Sequence, residues 1–92
     1  MGRVVSSVKQ NRCKAIEAEL PDGYRVAPWG LGGYAVRVDM SDGPIRRKYV
    51  GEMRSTHVGW SAASAVVEEW RTFQTSVEAA LWLVEQWEAD DS

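Results

Sequence analysis

The chain has 92 residues, of which 45% are hydrophobic and 26% charged, and its formal net charge is −2. This size predicts a single domain over residues 1–92, and the hydrophobic content excludes a disordered chain. The single cysteine, Cys13, excludes an intrachain disulfide and suits a reducing compartment. The lack of an apolar run of about 18 residues argues against a membrane-spanning helix. We therefore expect a soluble cytoplasmic protein with no membrane partner.

The charge is divided unevenly along the chain. Residues 1–54 carry ten Lys or Arg and six Asp or Glu, whereas residues 55–92 carry one Arg and seven Asp or Glu. The first part is therefore net +4 and the second net −6. Such a split indicates either that the two parts face each other, within the fold or across a homodimer, or that one of them faces a charged partner.

The first twenty residues predict a flexible start followed by a possible helix. Residues 1–7 have no clear pattern, and we expect them to be flexible. An imperfect helical stripe is formed by Val8, Cys13, Ile16 and Leu20. Residues 14–20 also alternate as a strand would, but we favour the helix. Pro21-Asp22-Gly23 ends either element, because proline cannot continue it and Asp-Gly favours a turn.

Three alternating segments predict an antiparallel meander. The predicted strands cover residues 24–29, 34–39 and 45–50, and glycine-rich or Ser-Asp-Gly-Pro turns occupy 30–33 and 41–44. Pro28 lacks a backbone donor, so the first strand should lie at an edge of the sheet or end there.

The region after the meander fits more than one secondary structure. Residues 51–61 predict a long loop. Residues 62–70 fit one face of a helix capped by Ser61, whereas residues 66–73 are rich in the β-branched and aromatic side chains of a strand. We favour a fourth strand over residues 66–73.

The C-terminal segment predicts an amphipathic helix over residues 76–88. Thr75 is the expected N-cap, and Glu78 completes a capping box. The expected core stripe contains Val77, Ala80, Leu81 and Val84, with Trp82 on the opposite side. Residues 89–92 are acidic at the end where the helix dipole disfavours negative charge, so we expect them to be flexible.

These elements predict an α+β fold. It consists of an antiparallel sheet of three to four strands, a C-terminal helix packed on one face, and a possible N-terminal helix. The pattern Phe73-x-Thr75-x-x-Glu78-Ala79-x-x-Trp82-Leu83, after a basic strand pair, resembles the small arm-type DNA-binding domains of phage integrases and short uncharacterised phage and actinobacterial proteins. The resemblance covers residues 34–50 and 66–88. It implies a sheet that enters the DNA major groove with the helix behind it.

No residues predict catalysis, and no cofactor or metal site is expected. One histidine and one cysteine are too few for a zinc motif. The best nucleic-acid candidates are the basic residues of the strands, which could contact phosphates: Arg25, Arg37, Arg46 and Lys48. Tyr34, Tyr49 or Trp29 could stack on bases.

Trp82 and the carboxylates of the last helix are the candidates for a protein interface. The acidic candidates are Glu78, Glu85 and Glu88. Trp82 is either covered by residues 1–20 or available to a homodimer or partner, since tryptophan is enriched at interface hot spots. We therefore expect a non-catalytic binding protein, an accessory protein of a phage or mobile element in a bacterial cytoplasm, that modulates a host or phage protein. The alternative is DNA binding through the basic face of the sheet.

Overall fold

The fold is α+β, as predicted, and its sheet has five strands. The computed structural model describes residues 4–30, 32–40, 46–67 and 69–91. In chain order, the elements are α1 (Val4–Glu17), β1 (Tyr24–Trp29), β2 (Gly33–Met40), β3 (Arg46–Thr56), β4 (Gly59–Ser64), β5 (Trp70–Phe73) and α2 (Ser76–Asp91). The strands pair in chain order, and every neighbouring pair is antiparallel.

The first three strands form the predicted meander. Strand β1 has the predicted bounds, and it lies at one edge of the sheet, as Pro28 indicated. Gly30 and Gly32 have φ angles of 62° and 72°, a conformation that glycine adopts without steric cost, and they turn the chain from β1 into β2. The turn predicted over residues 41–44 lies outside the described residues.

The loop predicted over residues 51–61 is wrong. Strand β3 continues to Thr56, and β4 begins at Gly59 after a two-residue turn. Thr56 closes the turn with its hydroxyl, which accepts from Val58 N–H at 3.2 Å and donates to the Gly59 carbonyl at 3.1 Å. The turn has none of the Asn-Gly or Asp-Gly signals typical of short hairpins, which is why the sequence reads as a loop.

Between β4 and α2, the described residues form a bend and a short strand, and no helix. The strand predicted over residues 66–73 starts later, at Trp70, and residues 65–67 form a bend. Ser64 holds this bend, because its buried Oγ accepts from the N–H groups of Val66 at 3.1 Å and Val67 at 3.2 Å. The helix alternative over residues 62–70 is wrong, because residues 62–64 belong to β4 and residues 65–67 form the bend.

Both helices cover one face of the sheet and enclose the core. Helix α1 forms as favoured, and the core residues that the N-terminal region supplies are Cys13, Ile16 and Leu20. Helix α2 contributes Ala79, Ala80, Leu83 and Val84. Leu81, predicted to be in the core stripe, is instead 42% exposed. No helix among the described residues is long and apolar enough to cross a membrane.

Helix α2 approaches the sheet closely where Leu83 lies over Gly51. A Cβ atom added at Gly51 would lie 2.7 Å from Leu83 Cδ2 and 2.6 Å from the Ala63 carbonyl oxygen. Glycine is therefore required for this helix to pack at its observed height. The other face carries Arg37, Glu52 and Arg54, and no described helix packs on it.

Thr75 begins α2 with the predicted capping box. Its hydroxyl accepts from Glu78 N–H at 3.2 Å, and its own N–H donates to Glu78 Oε1 at 3.2 Å. We predict that Thr75→Ala lowers the free energy of unfolding by about 1 kcal/mol, because the orphan helical N–H loses its acceptor. Urea unfolding measures the change. Thr75→Ser keeps a capping hydroxyl and is the matched control, and an equal loss in both variants would contradict the role of the cap.

Candidate functional site

A groove lies between β5 and α2, and we call it the α2–β5 groove. Its apolar wall is formed by Phe73, Leu81 and Trp82, and its lining also includes Thr72, Gln74, Glu78 and Glu85. The Trp82 and Phe73 ring centroids are 5.6 Å apart, and the Arg71 guanidinium carbon lies 5.7 Å from the Trp82 ring centroid. Trp82 is therefore half-buried by β5. The sequence placed Trp82 opposite the core stripe, either covered by residues 1–20 or available to a homodimer or partner; the ring and cation contacts to it come instead from Phe73 and Arg71 of β5.

Three of the four predicted protein-interface residues line this groove. Glu85 is exposed there, next to Trp82, and Glu78 also lines the groove while capping α2. Glu88 is placed differently, because its Oε2 accepts a hydrogen bond of 3.0 Å from the Tyr24 hydroxyl. Glu88 thus connects the end of α2 to β1, whereas the other three candidates form one surface.

The face of the sheet opposite the helices carries exposed aromatic rings, and we call it the open face. Trp29 is 44% exposed, Tyr49 41% and Trp70 54%. The Trp29 and Tyr49 ring centroids are 6.2 Å apart, and the Arg37 guanidinium carbon lies 5.8 Å from the Trp29 ring centroid. Arg54 lies over Trp70 at the same distance. The face therefore combines aromatic rings with cations held against them.

Arg25 is already engaged by carboxylates of its own chain. Its guanidinium lies 3.3 Å from Glu17 and 3.1 Å from Asp39. The hydrogen bond and charge of Asp39, followed by those of Glu17, raise the pKa of Arg25 above its ordinary value. Two carboxylates therefore compensate its charge, which makes Arg25 a poor phosphate ligand.

The other predicted nucleic-acid residues do not form one patch. Arg37 pairs with Tyr49 on the open face, whereas Lys48 pairs with Val38 and emerges on the opposite face. Arg46 takes part in β3 through its pairing with Met40, and its side chain lies outside the described part of the structure. The strand register thus separates Arg37 from Lys48.

The candidates for stacking are also divided between the core and the open face. Tyr34 is buried, with its ring centroid 5.7 Å from that of Trp60, so it cannot stack on a ligand. Trp29 and Tyr49 are available. Arg54 and Trp70 were not predicted as site residues. Strict period-2 alternation from Tyr49 predicts Arg54 on the opposite face. The β-bulge where Val36 pairs with Gly51 and Arg37 with Tyr49 brings Arg54 to the face of Tyr49, and the sequence pattern gives no signal of that bulge.

The described residues contain no group of three or more side chains suited to hold a metal ion. Cys13 is buried in the core, and His57 is exposed in the β3–β4 turn. Comparison of the chain with protein-family models, curated proteins and solved structures gave no match. The resemblance to integrase arm-type domains therefore stays a prediction.

Tyr49 provides a titratable probe of the open face. Partial burial, with a further contribution from the Glu52 carboxylate, raises the pKa of Tyr49 above its ordinary value of about 10, although Arg37 opposes the shift. The folded state then disfavours the phenolate, so this residue causes stability to fall as pH rises above about 10 and has no effect below that. We predict that Tyr49→Phe removes this loss. Urea unfolding between about pH 8 and pH 11 measures it, and identical pH profiles of both proteins would contradict the shift.

Proposed function

We propose that this chain is a non-catalytic binding protein that binds a protein partner through the α2–β5 groove. The observation that carries the proposal is the convergence of Glu78, Trp82 and Glu85 on one groove beside exposed Leu81. Partly exposed tryptophan and leucine offer apolar area to a partner, and tryptophan is the residue most enriched at interface hot spots. The origin of the chain in a phage or mobile element stays a prediction.

The charges around the groove favour a partner with positive charge. Glu78 and Glu85 form no ion pair among the described residues, and the cation nearest to the wall, Arg71, is paired with Glu69 at 3.0 Å. Carboxylates on the rim raise the rate of encounter with a cationic partner, while the apolar wall supplies most of the affinity. The two features together define one binding surface.

We expect groove variants to lose the partner while the fold is kept. Leu81→Asp places a charge on the apolar wall and should weaken binding by at least about 2 kcal/mol, as expected for a hot-spot residue. Glu85→Lys should slow association by reversing a rim charge. The measurement is affinity capture from lysate of the source organism, with captured proteins quantified by mass spectrometry.

Glu19→Lys is the matched control for Glu85→Lys. Glu19 is exposed after the end of α1, away from the groove, so the change in net charge is the same. Proteins retained by the unmodified chain and by Glu19→Lys should be lost from both groove variants. Equal capture by all four proteins would refute the proposal.

Nucleic-acid binding is the second candidate function, and a specific observation on the open face favours it. Trp29 and Tyr49 lie side by side there with Arg37 against Trp29, and Arg37 forms no ion pair among the described residues. Exposed rings next to a cation suit an unstacked base and its phosphate. Single-stranded DNA fits this arrangement better than a duplex, whose bases are stacked.

We expect Trp29→Ala to weaken binding of single-stranded DNA by about 1–3 kcal/mol if this second function holds, because one base loses its stacking platform. Arg37→Glu should weaken binding and flatten its salt dependence. Arg12→Glu, on the exposed side of α1, is the control of equal charge change. Fluorescence anisotropy with a labelled oligonucleotide measures both, and the absence of binding at low salt would eliminate this function.

A further inference from the structure

The two edges of the sheet differ in how their backbone groups are used. The edge of β1 is closed, because Val26 N–H donates to Glu17 Oε1 at 3.0 Å and Tyr24 N–H donates to the Pro21 carbonyl at 3.3 Å. Outward-pointing groups alternate along an edge strand, so the next outward donor would belong to Pro28, which has none. Helix α1 and Pro28 therefore leave no donor on β1 to which another strand could bind.

No described helix or proline protects the edge of β5 in this way. The Phe73 carbonyl oxygen lies directly against Gly59 of β4, which places the backbone of Phe73, and by alternation that of Arg71, toward β4. The backbone N–H and C=O groups of Trp70 and Thr72 consequently point away from the sheet. Within the described ranges, no strand pairs with β5 on this side.

The α2–β5 groove runs along this open edge. A strand added to β5 would lie about 4.8 Å from it, with alternate side chains directed to opposite faces. Side chains on the helix-covered face would meet Phe73, Leu81 and Trp82, whereas those on the other face would lie beside Trp70. Backbone pairing and side-chain burial would thus occur in a single binding event.

We propose that the open edge of β5 binds an extended, Lys- or Arg-containing segment of a partner protein by antiparallel or parallel strand addition. The inference rests on the proposed groove function and deepens it by assigning the shape and charge of the partner. The charge follows from Glu78 and Glu85, which line the groove and form no ion pair among the described residues, since the neighbouring Arg71 is paired with Glu69. Main-chain hydrogen bonds supply affinity in this mode, and the alternate side chains supply specificity.

A second copy of this chain fits the edge less well. Pairing β5 with its symmetry mate would place both α2 helices on the same face of the joined sheet, since opposed residues of an antiparallel pair share a face. Glu78 and Glu85 of the two copies would then face each other across the seam. Like charges brought together in this way oppose association.

The test uses a synthetic probe with alternating Lys and Val, about six residues long and fluorescently labelled, and the full chain. We expect Thr72→Pro to weaken its binding at least about tenfold, because proline removes the outward N–H without removing a bond to β4. Thr72→Ala, which keeps that N–H, should change binding by less than about twofold. An acidic probe with Glu in place of Lys should bind at least about tenfold more weakly.

Amide hydrogen exchange of the unmodified chain provides a second measurement that does not depend on how Thr72→Pro folds. The amides of Trp70 and Thr72 should become protected when the basic probe binds. Unprotected amides, or equal binding of the two probes, would overturn the inference. Protection that appears without probe and rises with protein concentration would assign the edge to a second copy and overturn it as well.

The same experiments separate this inference from the proposed function. If Leu81→Asp abolishes capture of a partner but the basic probe leaves both amides unprotected, the groove function stands and strand addition fails. If the probe protects the amides and Leu81→Asp has no effect on capture, strand addition stands and the groove function fails.

Discussion

The structure depends on the close packing of α2 against the middle of the sheet. Gly51 has no side chain, so Leu83 can reach the backbone of β3, and the next pair on this face, Met53 and Ala62, is fully buried. The described residues contain two helices, and both pack on this face. No described helix remains for the opposite face, where Trp29 and its neighbouring rings are exposed. One packing constraint thus creates both the core and the open face.

Helix α1 has a second role besides supplying core residues. Its last residue, Glu17, accepts hydrogen bonds from the N–H of Val26 and the guanidinium of Arg25. One carboxylate thus occupies an outward N–H of the β1 edge and also compensates the charge of a strand cation. Natural sheets commonly protect their edges in this way, because an unpaired edge is a template for another strand. Strand β5, at the other edge of the sheet, has no described helix or proline in this role and is bordered by the α2–β5 groove.

Local patterns were sufficient to predict some elements but not the sites. The alternation of residues 24–29 and the Thr75–Glu78 pair depend on neighbours within one strand or one helical turn, and both predictions were confirmed. The sequence does not reveal the β3–β4 hairpin because its turn is stabilised by the Thr56 hydroxyl, and such an ST-turn is a weaker sequence signal than Asn-Gly or Asp-Gly. The α2–β5 groove is formed by residues that meet only when β5 pairs with β4 and α2 packs with Trp82 against Phe73. The orientation of α2 about its axis is set by tertiary packing, which helical periodicity alone does not reveal.

The ion pairs of the described residues do not connect the basic part of the chain to the acidic part. Among the described residues, Arg25 pairs with Glu17 and Asp39, Arg54 approaches Glu52 at 4.0 Å, and Arg71 pairs with Glu69. Each pair lies within its own part of the sequence. Two carboxylates of α2, those of Glu78 and Glu85, line the apolar groove and form no ion pair among the described residues. Because no described cation pairs with Glu78 or Glu85, their charge stays available at the groove, and the cationic segment proposed for the β5 edge would match both the carboxylates and the outward backbone groups.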